Sequence, residues 1–253
     1  MIHLFQKPYR EGTVVNGRYV IEKQLGEGSY GVTYVARDEQ TTERVVLKQM
    51  KRTKRKKRRA SFEREALILK QLDHPQIPKL YDSFETNNVP HLVMEYIEGD
   101  TIETLIFDKK QTYGEKEAFS LLSDVLPVIQ YIHAKQIVHR DLRIPNIVFR
   151  DGIVYVLDFG LARFLHEQDE PFLTVEQRLR RAIDVKSDIY ALGHFLLFLL
   201  YSSYEPMEEE EKSWEDELLL TEDARGVLRR MLQLDVPYAS VEQLARDVAY
   251  VVQ

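Results

Sequence analysis

A two-lobed α+β fold is predicted by a change of hydrophobic period near residue 98. Before that point, apolar and polar residues alternate in short runs bounded by turn-forming residues, the pattern of half-buried strands. Beyond it, apolar residues recur every three to four positions, the pattern of amphipathic helices. A single helical stripe interrupts the first part. The expectation is one domain over residues 1–253, with a small, mainly β lobe at about 18–97 and a larger, mainly helical lobe at about 98–252.

In chain order, residues 18–26 and 31–37 alternate around Gly26-Glu27-Gly28-Ser29-Tyr30-Gly31 and predict a hairpin. Val45 to Met50 reads as a third strand. Ala60 to Leu72 sets Phe62, Ala66, Leu69 and Leu72 on one helical stripe. His74-Pro75 ends that helix, because proline pushes the preceding residue out of helical geometry. Leu80–Phe84 and His91–Ile97 read as two further strands. Glu115–Ala134 is a long amphipathic helix with Pro127 as a local blemish, and Ile137–Leu157 contains two short β segments. Asp184–Ser202, Glu222–Leu234 and Val241–Val251 complete the helices. Glu95-Tyr96-Ile97 joins the β part of the chain to the helical part.

A chain of 253 residues suffices for a substantial core. Without any cysteine it can form neither disulfides nor thiolate metal sites, which fits a reducing compartment. The first eight residues lack the apolar core of a signal peptide. Phe195–Tyr201, the longest apolar run, falls well short of the ~20 residues that cross a bilayer. A cytoplasmic protein with no transmembrane segment is expected. The formal net charge of −6 is unevenly spread: Lys51–Arg59 is basic at every position except Thr53, and Glu208–Glu217 is mostly acidic.

Six signatures then stand in one order. The glycine-rich turn is followed by Val45-Val46-Leu47-Lys48 and by Glu65 in the helical segment. His139-Arg140-Asp141 comes next, with Asn146 five residues beyond the aspartate. Asp158-Phe159-Gly160 and Thr174-Val175-Glu176, ahead of Asp188, complete the set. Each has a plainer reading alone: a structural hairpin, a solvated lysine, a strand-ending turn. Together, over about residues 18–252, they resemble the protein kinases, and most closely the small soluble bacterial kinases of the eukaryotic-like, Hanks type.

That resemblance implies ATP and Mg2+ as cofactors and a protein hydroxyl as acceptor, with serine or threonine favoured. Phosphoryl transfer asks the protein mainly for alignment and charge neutralisation. Gly26, Gly28 and Gly31 would let backbone N–H groups approach the phosphates, as no Cβ intervenes. Lys48 would hold the α and β phosphates, itself held by Glu65, with Glu63 the competing partner. Asp141 would accept the hydroxyl proton, and Arg143 would steady the transferring phosphate as a planar fork. Asn146 and Asp158 would ligate magnesium through hard oxygens. Thr33, Val46 and Val148 would surround adenine, with Met94 as gatekeeper and Glu95 to Ile97 hydrogen-bonding the base. Leu69, Leu80, His139 and Phe159 match a regulatory spine, and Asp188 matches the residue that braces the His139-Arg140 backbone.

Departures from the family pattern are equally legible. Thr33 replaces a valine and Val46 an alanine, which alters pocket shape. Residues 159–173 contain no serine, threonine or tyrosine, so the usual phosphorylation switch has no acceptor there. Glu167, Asp169 and Glu170 are candidates to supply that negative charge to Arg140, or else form a solvated acidic loop. Ala239 stands where an arginine normally pairs with the residue equivalent to Glu176. The basic run Lys51–Arg59 adjoins the helix carrying Glu65. It is a candidate site for DNA or another polyanion that stimulates activity, against a plain solvated loop. The rival to catalysis is a nucleotide-binding scaffold, although none of the residues whose loss marks a pseudokinase is missing.

Overall fold

The structure, a computed structural model, describes residues 8–28, 31–51, 55–168, 171, 174–205 and 212–253. The chain divides into two compact units: Met1–Glu98 with Phe159–Leu161, and Gly99–Asp158 with Ala162–Gln253.

The first unit is built on an antiparallel sheet of six strands. These are β1 (Val14–Val15), β2 (Tyr19–Glu27), β3 (Gly31–Asp38), β4 (Arg44–Met50), β5 (Leu80–Thr86) and β6 (Val89–Glu95), in spatial order β1-β2-β3-β4-β6-β5. Alternation sorts the side chains by face. Tyr19, Ile21, Val32, Tyr34, Ala36, Val45, Leu47 and Val93 form one buried cluster. On the opposite face Met50 and Leu92 pack with Phe62 and Ala66 of helix α1 (Arg55–Gln71). The helix therefore begins five residues before the expected Ala60. Arginine and lysine are good helix formers, so the basic run from residue 55 onward continues the helix and is not a loop.

The second unit opens with β7 (Asp100–Thr101) and α2 (Ile102–Phe107), capped by Thr101, whose Oγ1 accepts from Thr104 N at 3.0 Å. Neither element is predicted by periodicity, being too short to show a period. Helix α3 (Glu115–Ala134) has the predicted limits and runs through Pro127. Strands β8 (Ile137–Val138), β9 (Ile147–Arg150) and β10 (Ile153–Val156) follow, then β11 (Arg163–Phe164), which pairs with β8. Strands β10, β9 and β7 form a small antiparallel sheet. Helices α4 (Val175–Arg181), α5 (Val185–Tyr201), α6 (Trp214–Glu217), α7 (Glu222–Met231) and α8 (Val241–Val252) complete the unit. Phe195, Leu196, Leu199 and Leu200 of the apolar run are buried in α5. Among the described residues no helix is long and apolar enough to cross a membrane.

Gly99 shows why a glycine precedes β7. Its φ is +145°, and a Cβ there would lie 2.9 Å from Val148 Cγ1 and 3.0 Å from Phe149 O. Any side chain would push β9 away from β7.

Candidate active site

In the first unit, strand register gathers one set of candidates. Thr33 lies opposite Lys48, Lys48 opposite Leu92, and Val46 opposite both Val35 and Met94. Directly opposed residues share a face, so Thr33, Val46, Lys48 and Met94 project to the same side of the sheet, the side bearing α1. Lys48 Nζ donates to Glu65 Oε1 at 2.7 Å. The side chains are 9% and 2% exposed, so little water reaches the pair. Glu63, the competing candidate, instead pairs with Arg59 one turn away at 2.9 Å and is 59% exposed.

Gly28 N donates to Gly31 O at 3.0 Å, closing the glycine-rich turn; Ser29 and Tyr30 lie outside the described residues. The three glycines differ in what they serve. A Cβ on Gly31 would sit 2.5 Å from the Gln49 carbonyl oxygen, whereas at Gly26 and Gly28 it would meet nothing within 4 Å among the described residues. Close approach of β4 demands a glycine at 31. At the end of β6, Glu95 N donates to Lys79 O at 2.8 Å and Ile97 is buried. The Phe159–Leu161 turn packs on α1, and Ser61 Oγ donates to Gly160 O at 3.0 Å. Sequence reasoning missed Ser61, since a helical serine carries no spacing signal.

In the second unit the catalytic-loop candidates are organised around Asp188. Its Oδ2 accepts from His139 N at 2.8 Å and faces His133 Nε2 at 2.9 Å; its Oδ1 accepts from Arg140 N at 2.7 Å. Burial pushes the Asp188 carboxyl upward, but the His133 hydrogen bond, the His133 and His139 imidazoles and the Arg140 N–H outweigh it. The carboxyl is held below the usual range. Arg140 adopts φ 66° and Asp158 φ 56°, left-handed conformations that residues other than glycine rarely adopt. Two N–H groups aimed at one carboxylate hold the first of these bends in place. His139 Nδ1 accepts from Asp141 N at 3.3 Å, which leaves the ring proton on Nε2, facing Leu157 O at 3.0 Å.

Asn146 Nδ2 donates to both Asp141 O and Asp141 Oδ2, each at 2.9 Å. Both partners are acceptors, so the nitrogen is fixed on that side and the amide oxygen points elsewhere. That oxygen and the Asp158 carboxylate are hard donors of the type Mg2+ takes, so the residue chemistry fits the ion. Asp141 Oδ1 faces Arg143 Nε at 3.6 Å and Arg181 NH1 at 3.1 Å. Arg181 was not foreseen from the sequence; only the unremarkable cluster Arg178, Arg180, Arg181 marks its neighbourhood. Val148 is buried in β9, opposite Tyr155 and Thr101.

Glu176 meets Arg180 at 2.9 Å on its own helix and stays 65% exposed, so it finds another partner at the surface. Glu167 Oε1 accepts from Phe164 N at 3.1 Å and shapes its own turn; Asp169 and Glu170 lie outside the described residues.

This chain belongs to the protein kinases. The family described as the protein kinase domain matches residues 19–245. Among curated proteins, the chain is similar to the probable serine/threonine-protein kinase YbdM of Bacillus subtilis (strain 168). The two are 36% identical over 252 residues, covering 99% of this chain and 95% of that protein. It is also similar to the serine/threonine-protein kinase PknA of Nostoc sp., at 32% identity over 81% of this chain, and to the serine/threonine-protein kinase B of Synechocystis sp., at 30% over 91%. The match spans only 41% and 46% of those two relatives.

Proposed function

We propose that this chain transfers the γ-phosphoryl group of ATP to serine or threonine hydroxyls of proteins. The observation that carries the reading is the 2.7 Å pairing of buried Lys48 with Glu65, because it sets the lysine for nucleotide phosphates. The hydroxyl class rests on the printed names of the relatives at 30–36% identity.

In this reading Lys48 neutralises the α and β phosphates, and the amides of Gly26, Gly28 and Gly31 cover them. Thr33, Val46, Met94 and Val148 contact adenine. Glu95 offers the base its carbonyl, since its N–H is committed to Lys79 O. Asn146 and Asp158 would hold Mg2+, which supplies charge neutralisation on the phosphates when bound. Asp141 accepts the acceptor's proton while the amide of Asn146 fixes its carboxylate. Arg143, 63% exposed at the side chain, reaches toward the transferring group.

The test is transfer of radiolabelled phosphate from Mg·ATP to a generic protein acceptor, followed by phosphoamino-acid analysis. Labelled serine or threonine that disappears in Asp158→Ala is expected. Nucleotide binding without transfer would favour the scaffold reading, and labelled tyrosine alone would overturn the assigned hydroxyl class.

Stimulation by a polyanion at Lys51–Arg59 belongs to the same proposal. It is supported by α1 starting at Arg55, which places residues 55–59 of the run in the helix bearing Glu65. Lys51 pairs with Glu27 of the glycine-rich turn at 2.5 Å, and Arg59 with Glu63 and Glu85; residues 52–54 lie outside the described residues. Unchanged rates with DNA across a salt series would remove this part alone. A cytoplasmic location is proposed with it, supported by the cysteine-free composition.

A further inference from the structure

The segment between Asp158 and Glu176 offers no phosphorylatable side chain before Thr174, so a modified residue cannot fasten it to the catalytic loop. Arg181, the last residue of α4, makes a different connection. One guanidinium nitrogen, NH1, donates to the Arg140 carbonyl oxygen and lies 3.1 Å from Asp141 Oδ1. It therefore ties the backbone of the His139-Arg140-Asp141 turn to the side chain of the next residue. The other carboxylate oxygen of Asp141 is held by Asn146 at 2.9 Å. Fixing both oxygens sets the plane of the carboxylate, and a general base works only when its lone pair is aimed at the proton it takes.

The backbone that presents Arg181 is itself anchored. Thr174 caps α4, its Oγ1 accepting from Gln177 N at 3.0 Å. Glu176 and Arg180 pair along the helix, and the Arg180 guanidinium lies 5.9 Å above the Tyr190 ring on α5. Ser187 Oγ donates to Ala182 O at 2.8 Å, fixing the residue after Arg181. The side chain of Arg181 is 33% exposed and that of Asp141 10% exposed, so the contact is sheltered without being sealed.

We propose that Arg181 is a positioning residue for phosphoryl transfer: it holds the Asp141 carboxylate and the Arg140 carbonyl from α4, and so supplies by a permanent contact the alignment that a phosphorylated loop would otherwise supply. The inference rests on Asp141 being the proton acceptor in the proposed kinase reaction. Arg143 does not substitute for it, being farther away at 3.6 Å and nearly twice as exposed.

The experiment compares full-length wild type, Arg181→Ala, Arg181→Met, Arg181→Lys and Asp141→Asn, after phosphatase treatment, with Mg·ATP and casein. Misalignment of a base by about an ångström costs on the order of 100-fold. A fall in kcat of about 10- to 100-fold is expected for Ala and Met, with KM for ATP within about twofold, since the contact acts on the chemical step. Lysine keeps the charge and carries three donors on one nitrogen, so Arg181→Lys should recover part of the loss. Methionine keeps the apolar stem, so it reports on the contact should alanine fold poorly. A kcat for Arg181→Met within about twofold of wild type overturns the proposal. So does a Lys variant as impaired as Met with an equal drop in thermal midpoint, which would mark a merely structural role. If Asp141→Asn keeps wild-type turnover, the assignment of the base falls instead; a dead Asp141→Asn beside a normal Arg181→Met sinks only the present inference.

Discussion

Lys48 and Glu65 meet at 2.7 Å with their side chains 9% and 2% exposed, joining β4 to α1 inside the first unit. An ion pair taken this far out of water gains little net stability when intact, because desolvation offsets the attraction. Its value is geometric: it fixes where the ammonium stands. Removing one partner is another matter, because the remaining charge keeps its desolvation cost.

Lys48→Met is therefore expected to abolish phosphoryl transfer and also to destabilise the first unit by about 3 kcal/mol. Lys48→Met/Glu65→Leu should regain the stability and stay inactive. Glu63→Gln, on the exposed pair with Arg59, should change stability by less than ~1 kcal/mol and leave kcat unaltered. Urea unfolding and a phosphate-transfer assay read both quantities.

The glycines should separate by phenotype. Gly31→Ala places a Cβ 2.5 Å from the Gln49 carbonyl, a backbone atom that cannot rotate away, so β3 and β4 must part. A loss of about 1–3 kcal/mol is expected. Gly26→Ala meets nothing within 4 Å among the described residues and should fold normally, while weakening ATP binding seen by calorimetry. Equal melting temperatures for the two variants would contradict this division.

Asp188→Asn leaves one acceptor oxygen where two faced three donors, and turns an amide N–H2 toward a backbone N–H or the His133 ring. A destabilisation of about 2–4 kcal/mol is expected. Hydrogen exchange should show the His139 and Arg140 amides losing protection before those of α5. Retained protection at both amides would mean that the left-handed bend at Arg140 does not depend on Asp188.

Arg18 binds Asp38 in two places, Nε to Oδ1 at 2.7 Å and NH2 to Oδ2 at 2.6 Å, tying the start of β2 to the end of β3. The Arg18 hydrogen bonds bring the Asp38 carboxyl from its ordinary 3.8 down to about 2. A carboxyl lowered by folding stabilises the native state above its unfolded value and loses that contribution as protons return. Stability from this pair should thus be complete above about pH 4 and fade between there and about pH 2. Asp38→Asn should flatten the stability profile in that window. Parallel profiles for the two proteins would refute the assignment.

The sequence by itself determined the order of the longer strands and helices and the membership of the protein kinase family. Helical periods long enough to be unambiguous gave α3 its limits at Glu115 and Ala134, and alternation gave β2, β3 and β4. Glu65 is favoured over Glu63 by its place ten residues before Pro75 and one turn from Leu69, and it is the carboxylate that meets Lys48. What the sequence left open was decided by contacts between distant positions. Whether Gly31 serves the turn or the neighbouring strand depends on the Gln49 carbonyl. Glu176 finds Arg180 rather than residue 239, and Arg181 arrives at Asp141 across forty positions of chain. Local periodicity is written by burial of one face at a time, so it survives in a one-dimensional string. The meeting of two charged side chains from separate elements depends on how those elements pack, and no spacing rule encodes that.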